Sequence, residues 1–269
     1  METVGFIGGG NMAEALIKGV VKANVYPPEN VIVSDVRAER LAYLAGKYGV
    51  VPAESNAELA AKVGTAVLSI KPQNMTEALE SVKGAINGET LVISIAAGIK
   101  VANIVTVLGE RPIIRVMPNT PALIGEGAST LFANQRAASH VDKAMAIFSA
   151  VGKAVVVEDE DLIDAVTAVS GSGPAYYFLL MEEMIKAGVT LGLSETVAKD
   201  LVLQTAKGAG LLAVEADKSG ESPAELRRKV TSPGGTTEAA LKVFAEGKIG
   251  ELITAAIIRA RDRGRELSK

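Results

Sequence analysis

The chain has 269 residues, enough for one large domain or, more readily, two. Acidic and basic residues nearly balance, 31 against 28, so the overall charge does not favour binding to nucleic acid or to an anionic membrane. The chain has no cysteine and a single histidine, His140, which excludes disulfides, thiolate metal sites and all-histidine metal sites and leaves little support for a Ser-His-Asp triad. We therefore expect a small-molecule partner and no bound metal.

The sequence predicts a cytoplasmic protein. Its first residues, METVGFIGGG, lack the basic leader and long apolar region of a signal peptide, and no run of about 18 apolar residues occurs. Hydrophobic residues make up 48% of the chain but aromatic residues only 4%, a composition typical of closely packed helices. Part of this apolar surface is expected to be buried between subunits.

Residues 1–160 alternate short apolar runs with helical patterns. The runs TVGFIG, VIVS, VVPA, TAVLSI, TLVISI and IIRVM are separated by helical patterns at 11–23, 37–48, 56–62, 74–84 and 100–108. Further strands at 128–134 and 154–158, with a helix at 138–150, complete the pattern. Continuous Val and Ile runs separated by helices indicate strands buried on both faces of a parallel sheet, so we predict an α/β, doubly wound domain.

Residues 161–269 show helical patterns without the alternating apolar runs of the first part. After the acidic segment EDEDLID, helical patterns follow at 172–191, 194–215, 223–230, 235–245 and 248–265. Their apolar residues occupy more than one face, as in AYYFLLMEEMIKAGVTLGL. A single layer of helices in water does not bury such faces, so we predict an all-α second domain that forms a homo-oligomer.

The stretch VGFIGGGNMAEALIKG places G-x-G-x-x-A between the first strand and the first helix. Gly8 allows the tight turn, Gly10 allows a pyrophosphate to approach, and the small Ala13 lets helix and strand pack. The helix N-terminus, from Asn11 and Met12, supplies amide donors. This context predicts a Rossmann-type dinucleotide-binding domain; the alternative is a plain strand-to-helix turn.

Asp35 follows the second strand in VIVSDVR, about 25 residues after Gly10. A carboxylate there can accept both ribose hydroxyls of NAD and would repel the 2′-phosphate of NADP. Arg37 can pair with that phosphate or stack on adenine, so NADPH stays open as the cofactor although Asp35 leans towards NADH. Alternatively, Asp35 caps the helix that begins near residue 37.

Other candidate cofactor residues follow later strands, because ligands of such sheets bind beyond the carboxyl ends of the strands. SIKPQ and SIAAG would border the nicotinamide half, although Lys71 could be a solvated loop residue. Asn56 could reach the adenine ribose or cap a helix, and Asn119, in the proline-rich loop MPNTP, could form a stiff wall or part of a crossover. The full cofactor set is Gly8, Gly9, Gly10, Asn11, Met12, Asp35, Arg37, Asn56, Ser69, Ile70, Lys71, Pro72, Ala96, Ala97, Gly98 and Asn119.

Two clusters of Ser, Gly and Pro lie in the second domain, SGSGPAY at 170–176 and TSPGGTT at 231–237. Each precedes a helical pattern, so hydroxyls and free amides at the helix start could face a small carboxylate. The alternative for each cluster is a simple helix cap.

These motifs, in this order and spacing, resemble pyrroline-5-carboxylate reductase over essentially the whole chain. GFIGGGNMA, SIKPQ, SIAAG, MPNTPALIGEG, DAVTAVSGSGPAYYF and VTSPGGTTEAAL carry the resemblance. The pair SGSGPAY and TSPGGTT is its most specific part, whereas G-x-G-x-x-A is shared with many dehydrogenases.

The resemblance implies an oxidoreductase of proline biosynthesis. Such enzymes reduce L-1-pyrroline-5-carboxylate to L-proline by hydride transfer from NAD(P)H to the imine carbon C5, and their helical C-terminal domain is a dimerisation domain, often within a decamer of five dimers. By position, the TSPGGTT loop would hold the substrate carboxylate beside the other subunit's nicotinamide, with Thr237 nearest the ring nitrogen as the catalytic hydroxyl. The substrate-binding set is Ser232, Gly234, Gly235, Thr236 and Thr237.

The residue at position 177 agrees with imine chemistry. Related hydroxyacid dehydrogenases carry a lysine in G-x-G-x-x-x-K, where this chain has Tyr177. An imine can be protonated before hydride arrives, so it needs orientation rather than a strong acid. Tyr176 and Tyr177 are better explained as core or interface aromatics. A hydroxyacid dehydrogenase and a non-catalytic NAD(P)-binding redox sensor are the alternatives.

Overall fold

A computed structural model describes residues 2–267 of the chain. These residues form two compact units, one containing the chain up to Pro174 together with the residues from Arg259 onward, the other Ala175–Ile258. The proposed domains 1–160 and 161–269 stay a prediction. In the first unit, the segment after residue 160 packs as a short helix against the sheet.

The first unit is built on one eight-stranded sheet in the order β3-β2-β1-β4-β5-β6-β7-β8. Its strands are β1 Val4–Ile7, β2 Val31–Ser34, β3 Val51–Pro52, β4 Thr65–Leu68, β5 Leu91–Ser94, β6 Ile113–Met117, β7 Gly127–Ala133 and β8 Gly152–Val157. The apolar runs of β1, β2, β4 and β5 are buried at every position, as expected for strands covered on both faces. The predicted α/β, doubly wound class is confirmed.

One strand departs from the parallel arrangement. β7 pairs antiparallel with β6, while every other neighbouring pair is parallel. The link between them, residues 118–126, contains only a short 3-10 turn, Thr120–Ile124. A parallel return needs a crossover of about a dozen or more residues, so this short link reverses the strand direction.

Helices cover both faces of the sheet. The helices of this part are α1 Asn11–Lys22, α2 Ala38–Tyr48, α3 Asn56–Lys62, α4 Met75–Val82, α5 Val101–Leu108, α6 Val141–Ser149 and α7 Leu162–Val166. One core cluster joins β1 to α1, α2 and α6 through side chains such as Phe6, Leu16 and Phe148. The other joins the opposite face to α3, α4 and α5 through Leu59, Leu79 and Ile104. Because β1, β2, β4 and β5 pair in parallel, their carboxyl ends lie at one edge of the sheet.

The remaining helices are α8 Gly173–Thr190, α9 Glu195–Asp217, α10 Pro223–Lys229, α11 Thr236–Glu246 and α12 Ile249–Leu267. Within Ala175–Ile258, all of which the structure describes, only Ala198 and Val202 are buried. Large apolar side chains are exposed instead, among them Phe178 at 60% and Val214 at 67%. Such a surface is typical of a subunit interface. No helix within residues 2–267 is both long and apolar enough to cross a membrane.

Candidate active site

Gly8 makes the turn that leaves β1. Its φ is +93°, and a Cβ at this position would lie 2.7 Å from the Ser69 carbonyl oxygen. Its amide donates to the Ser34 oxygen at 2.8 Å, and its carbonyl accepts from the Ser69 hydroxyl at 2.7 Å. Only glycine combines this backbone conformation with this close approach, so three strand ends meet tightly here.

Gly10 and the start of α1 leave open space beside free helix amides. Gly10 precedes the helix in an extended conformation, and a Cβ there would meet no heavy atom within 4 Å. Ala13 is fully buried against the sheet, as its small size predicts. The first amides of α1, at Asn11 and Met12, lie beyond the reach of intrahelical acceptors. The open space and the positive end of the helix dipole fit a pyrophosphate.

Asp35 is held by two neighbours instead of capping α2. Its carboxylate accepts the Gly9 amide at 2.8 Å and the Arg37 amide and Nε at 3.0 Å each. Burial raises the pKa of the Asp35 carboxyl, but hydrogen bonds from Arg37 and Gly9 outweigh burial and leave the pKa below its ordinary value. Since the Asp35 side chain is 8% exposed and that of Arg37 53%, the carboxylate is anchored while the guanidinium faces solvent.

Asn56 ties the end of β2 to α4. Its Oδ1 accepts the Ser34 hydroxyl at 2.7 Å, and its Nδ2 donates to the Ser81 hydroxyl at 3.0 Å. The cap of α3 is Ser55, whose side chain accepts the Glu58 amide at 3.1 Å. The interpretation of Asn56 as the helix cap is therefore wrong, and a role near the ribose stays a prediction.

The two loops proposed for the nicotinamide half follow β4 and β5. Ser69 donates to the loop of residues 8–10 between β1 and α1, which we call the glycine loop, and Ile70 lies close enough to touch a Cβ at Gly8. The remaining residues present small or exposed groups at the same sheet edge. They are Lys71 and Pro72, both exposed, Ala96, which is buried, Ala97, which is exposed, and Gly98 with φ +76°.

Asn119 joins the proline-rich loop to the segment after α7. Its Oδ1 accepts the Ala128 amide at 2.8 Å, and its Nδ2 donates to the Ser170 carbonyl and hydroxyl oxygens at 3.2 and 3.4 Å. These bonds use both ends of the side-chain amide to fix the loop. The geometry therefore favours the interpretation as a stiff wall.

SGSGPAY differs from the expected free helix start. Residues Thr167–Gly171 form a π-helical turn that continues α7, and the Ser172 amide donates to the Thr167 oxygen at 2.8 Å. The helical path thus runs through this segment into α8, so part of its amides are already bonded. Such π-turns are frequently found at functional sites. Tyr177 is 67% exposed in the subunit, which excludes a core role and leaves the interface interpretation.

The TSPGGTT loop belongs to the second unit and precedes α11. Gly234 has φ +71°, and Gly235 precedes the helix without a capping side chain. A surface depression of about 540 Å³ adjoins both glycines. Ser232 and Thr236 are exposed and Thr237 is half-buried, so hydroxyls and first-turn amides of this loop are available to an anion.

Three further residues beside the candidate site carry no functional motif in the sequence. Arg40 and Glu14 pair beside the glycine loop at 2.5 Å. Glu238 accepts the Gly234 amide at 2.7 Å and so fixes the TSPGGTT loop. Glu238 is the third residue of α11, a position where an acidic residue is a recognisable sign of a helix start. The Arg40–Glu14 pair carries no such sign, because it depends on how two helices pack.

The candidate cofactor residues thus lie in the first unit, and the candidate substrate residues lie in the second. Among residues 2–267, no group of three or more His, Cys, Asp or Glu side chains is placed to hold a metal ion.

Comparisons with known proteins cover both units. A family model described as pyrroline-5-carboxylate reductase dimerisation matches residues 160–267. A second model, NADP oxidoreductase coenzyme F420-dependent, matches residues 3–98. The chain is 48% identical over 268 residues to pyrroline-5-carboxylate reductase of Pseudomonas aeruginosa, covering 99% of this chain and 97% of the relative.

Solved structures agree with these matches. The chain resembles a pyrroline-5-carboxylate reductase of Coxiella burnetii with a TM-score of 0.94 and 39% identity, over 100% of this chain and 99% of the other. It resembles the Plasmodium falciparum enzyme, solved with NADP bound, with a TM-score of 0.87 and 30% identity over 100% and 98% of the two chains. On this evidence of sequence and fold, the chain belongs to the pyrroline-5-carboxylate reductase family, oxidoreductases that reduce pyrroline-5-carboxylate to proline.

Proposed function

We propose that the edge of the sheet formed by the ends of β1, β2, β4 and β5 binds NAD(P)H, and that this chain uses it to reduce L-1-pyrroline-5-carboxylate to L-proline. The observation that carries this proposal is the open space around Gly10 at the uncapped start of α1. Family membership disfavours both alternatives, the hydroxyacid dehydrogenase and the non-catalytic sensor.

The pyrophosphate would be held by backbone amides. Gly8 turns the chain and Gly10 leaves room, while Asn11 and Met12 present first-turn amides. The helix dipole adds a favourable partial charge worth about 0.3–1 kcal/mol. These features are common to NADH and NADPH binding, so they do not select between the two.

Cofactor choice would depend on Asp35 and Arg37. The anchored Asp35 carboxylate can accept ribose hydroxyls, which favours NADH. The paired, half-exposed Arg37 offsets part of the negative charge and can reach out to a 2′-phosphate, which keeps NADPH usable. Asn56, fixed at the end of β2, would lie on the same side as the adenosine.

The nicotinamide would lie between the loops that follow β4 and β5. Ser69 to Pro72 and Ala96 to Gly98 line this half, and their mostly small or short side chains leave room for a flat ring and a small substrate. Asn119 would act by holding the proline-rich loop against the π-helical turn Thr167–Gly171. When bound, the reduced nicotinamide supplies the hydride.

The substrate would be held by the TSPGGTT loop. Ser232, Gly234, Gly235 and Thr236 would bind its carboxylate through hydroxyls and amides at the start of α11, and Thr237 would orient the ring nitrogen. A protonated imine needs no strong acid at its nitrogen, so a hydroxyl partner suffices. This arrangement explains why a tyrosine at position 177 is compatible with the reaction.

The dimerisation domain indicates that the chain acts as an oligomer. The exposed apolar faces of α8 and α9 would form the main contact between two subunits. In this proposal, the TSPGGTT loop of one subunit completes the cofactor site of its partner, and five dimers form a decamer.

Initial rates test the proposed function. Purified protein is mixed with pyrroline-5-carboxylate and either NADH or NADPH at several concentrations, and proline is identified as the product. We expect oxidation of both cofactors with the lower KM for NADH. Absence of oxidation with either cofactor, despite their binding, would contradict the proposal and favour a redox sensor.

A further inference from the structure

Arg40 holds the back of the glycine loop. It lies in the first turn of α2, and its side chain is only 17% exposed. Its Nε donates to the Gly9 oxygen at 2.5 Å, and its Nη2 approaches the Gly10 oxygen at 3.4 Å. One planar guanidinium therefore contacts two consecutive carbonyl groups, which suits its forked donors.

Fixing these carbonyls also fixes the amides that follow them. In a planar trans peptide, the C=O of one residue and the N–H of the next point in opposite directions. A bond to the Gly9 oxygen thus sets the direction of the Gly10 amide. The Gly10 oxygen also accepts the Glu14 amide of α1 at 2.9 Å, so the direction of the Asn11 amide is set by the helix together with Arg40. The Gly10 and Asn11 amides stand at the open start of α1.

The arginine is itself held in place. Its Nη2 lies 2.5 Å from Glu14 Oε2, and its guanidinium stacks over the Tyr43 ring at 5.1 Å. Glu14 also accepts from Tyr48 at 2.7 Å, Tyr43 at 3.0 Å and Lys47 at 3.1 Å. The charge of Arg40 is thus matched by an anchored carboxylate, and contacts within the chain hold its guanidinium in place.

We propose that Arg40, braced by Glu14, is a positioning residue of the dinucleotide site, orienting the Gly10 and Asn11 amides towards the pyrophosphate. This inference rests on the proposed function in taking the glycine loop as the pyrophosphate site. The pyrophosphate is common to NADH and NADPH, so Arg40 supports both equally. Arg37, in contrast, is exposed beside Asp35 and is placed to respond to the 2′-phosphate.

Substitution of Arg40 tests this role. Arg40→Ala is expected to raise the Kd and KM of NADH and of NADPH by the same factor, about tenfold, as for loss of one charge-assisted hydrogen-bonding group. The kcat and the KM for pyrroline-5-carboxylate should stay near their wild-type values. Arg40→Lys keeps the charge but has one nitrogen instead of a fork, so its Kd should lie between those of the wild type and Arg40→Ala.

Lys47→Ala is the matched control. Lys47 contacts the same Glu14 carboxylate but none of the loop carbonyls, so its removal should leave the affinity for both dinucleotides unchanged. Thermal unfolding of all variants shows whether any change in affinity follows merely from lost stability.

Three results would overturn the proposal. An effect of Arg40→Ala on NADPH alone would make Arg40 a 2′-phosphate ligand, and a lower unfolding temperature with unchanged Kd would make it purely structural. If Lys47→Ala weakened dinucleotide binding as much as Arg40→Ala, the loss of any positive charge near Glu14 would explain the effect, and the Arg40 bonds to the loop carbonyls would not be needed. Binding is measured directly from NADH and NADPH fluorescence, so a wild-type protein that binds but does not reduce the substrate would refute the proposed function and leave the Arg40 inference standing.

Discussion

Among individual side chains, Asp35 and Arg37 are the two that we propose to set the choice between NADH and NADPH. Asp35→Ser removes the carboxylate that we propose repels a 2′-phosphate, while the exposed Arg37 stays in place. We expect the ratio of kcat/KM for NADPH to kcat/KM for NADH to rise about tenfold, which corresponds to a free-energy difference of about 1.4 kcal/mol. Arg37→Ser should move the same ratio in the opposite direction. An unchanged ratio in Asp35→Ser would refute its selective role.

Thr237 is the hydroxyl expected to orient the imine. Thr237→Ala should lower kcat about tenfold or more, in the range for loss of a positioning contact, without changing dinucleotide affinity. Thr254→Ala is a suitable control, because Thr254 is a helical threonine of the second unit that donates to the Gly250 oxygen and lies outside the proposed site. Turnover equal to that of the wild type in both variants would remove Thr237 from the mechanism.

The ionisation of Glu14 is expected to make the unfolding free energy of the protein depend on pH. Burial raises the pKa of its carboxyl, but bonds from Tyr48, Arg40, Lys47 and Tyr43 together lower the pKa from 4.5 to about 2. The stabilisation is therefore fully present above about pH 4.5 and is lost as the pH falls towards 2. The difference in unfolding free energy between wild type and Glu14→Gln, measured by urea unfolding, should be constant near neutral pH and shrink below about pH 4.5. If the difference in unfolding free energy stayed constant as the pH fell well below 4.5, the lowered pKa of Glu14 would be contradicted.

The sequence predicted the positions of these residues better than their partners. Asp35 was recognised because it follows a strand at a known distance from the glycine loop. Its bonds to Gly9 and Arg37 depend on the path of the loop between strand and helix. The Arg40–Glu14 pair depends on the approach of α2 to α1, which no local pattern encodes.

The glycine loop provides the sharpest test at the level of structural elements. Gly8→Ala places a Cβ 2.7 Å from the Ser69 oxygen at φ +93°, so we expect it to cost about 1–3 kcal/mol of unfolding free energy. Gly10→Ala meets no atom within 4 Å, and its φ of −67° suits alanine. Its Cβ would instead occupy the space proposed for the pyrophosphate.

Gly10→Ala should therefore change the unfolding free energy by no more than about 0.5 kcal/mol while raising the dinucleotide Kd about tenfold or more. Chemical denaturation and NADH fluorescence titration measure the two effects separately. Unaltered binding by Gly10→Ala would show that the pyrophosphate does not approach at this residue.

Strands and helices were largely predictable because their signals are local. Continuous Val and Ile runs marked β1, β2, β4 and β5, and all were buried as expected. The antiparallel direction of β7 follows from the short link before it. The π-helical turn at Thr167–Gly171 ends at a glycine that Met117 approaches so closely that a Cβ there would lie 2.5 Å from it. Neither feature has a periodic pattern in the sequence.

For the whole molecule, the exposed apolar helices predict an obligate oligomer. Phe178→Glu combined with Leu212→Glu should shift the protein towards monomers, because burying two unpaired charges in an interface costs several kcal/mol. Activity should fall at least about tenfold if each site needs a loop from its partner. Lys186→Glu, on the exposed polar side of α8, is the control and should leave the mass unchanged.

Light scattering after size-exclusion chromatography measures these masses. A monomeric wild-type protein, or a double variant that keeps the wild-type mass, would contradict an interface through α8 and α9. The need for a second subunit was visible in the sequence as apolar residues on several helix faces, whereas the number of subunits is not encoded in such a pattern.

The transfer of deuterium from the 4-position of the reduced cofactor to proline is the most direct test of hydride transfer to the imine carbon. The protein is incubated with pyrroline-5-carboxylate and stereospecifically labelled [4-²H]NADPH or NADH, each epimer in turn, and the product is examined by mass spectrometry and NMR. We expect one epimer of the cofactor to yield L-proline carrying a single deuterium at C5. Unlabelled proline with both epimers, label at another carbon, or no proline at all would contradict it.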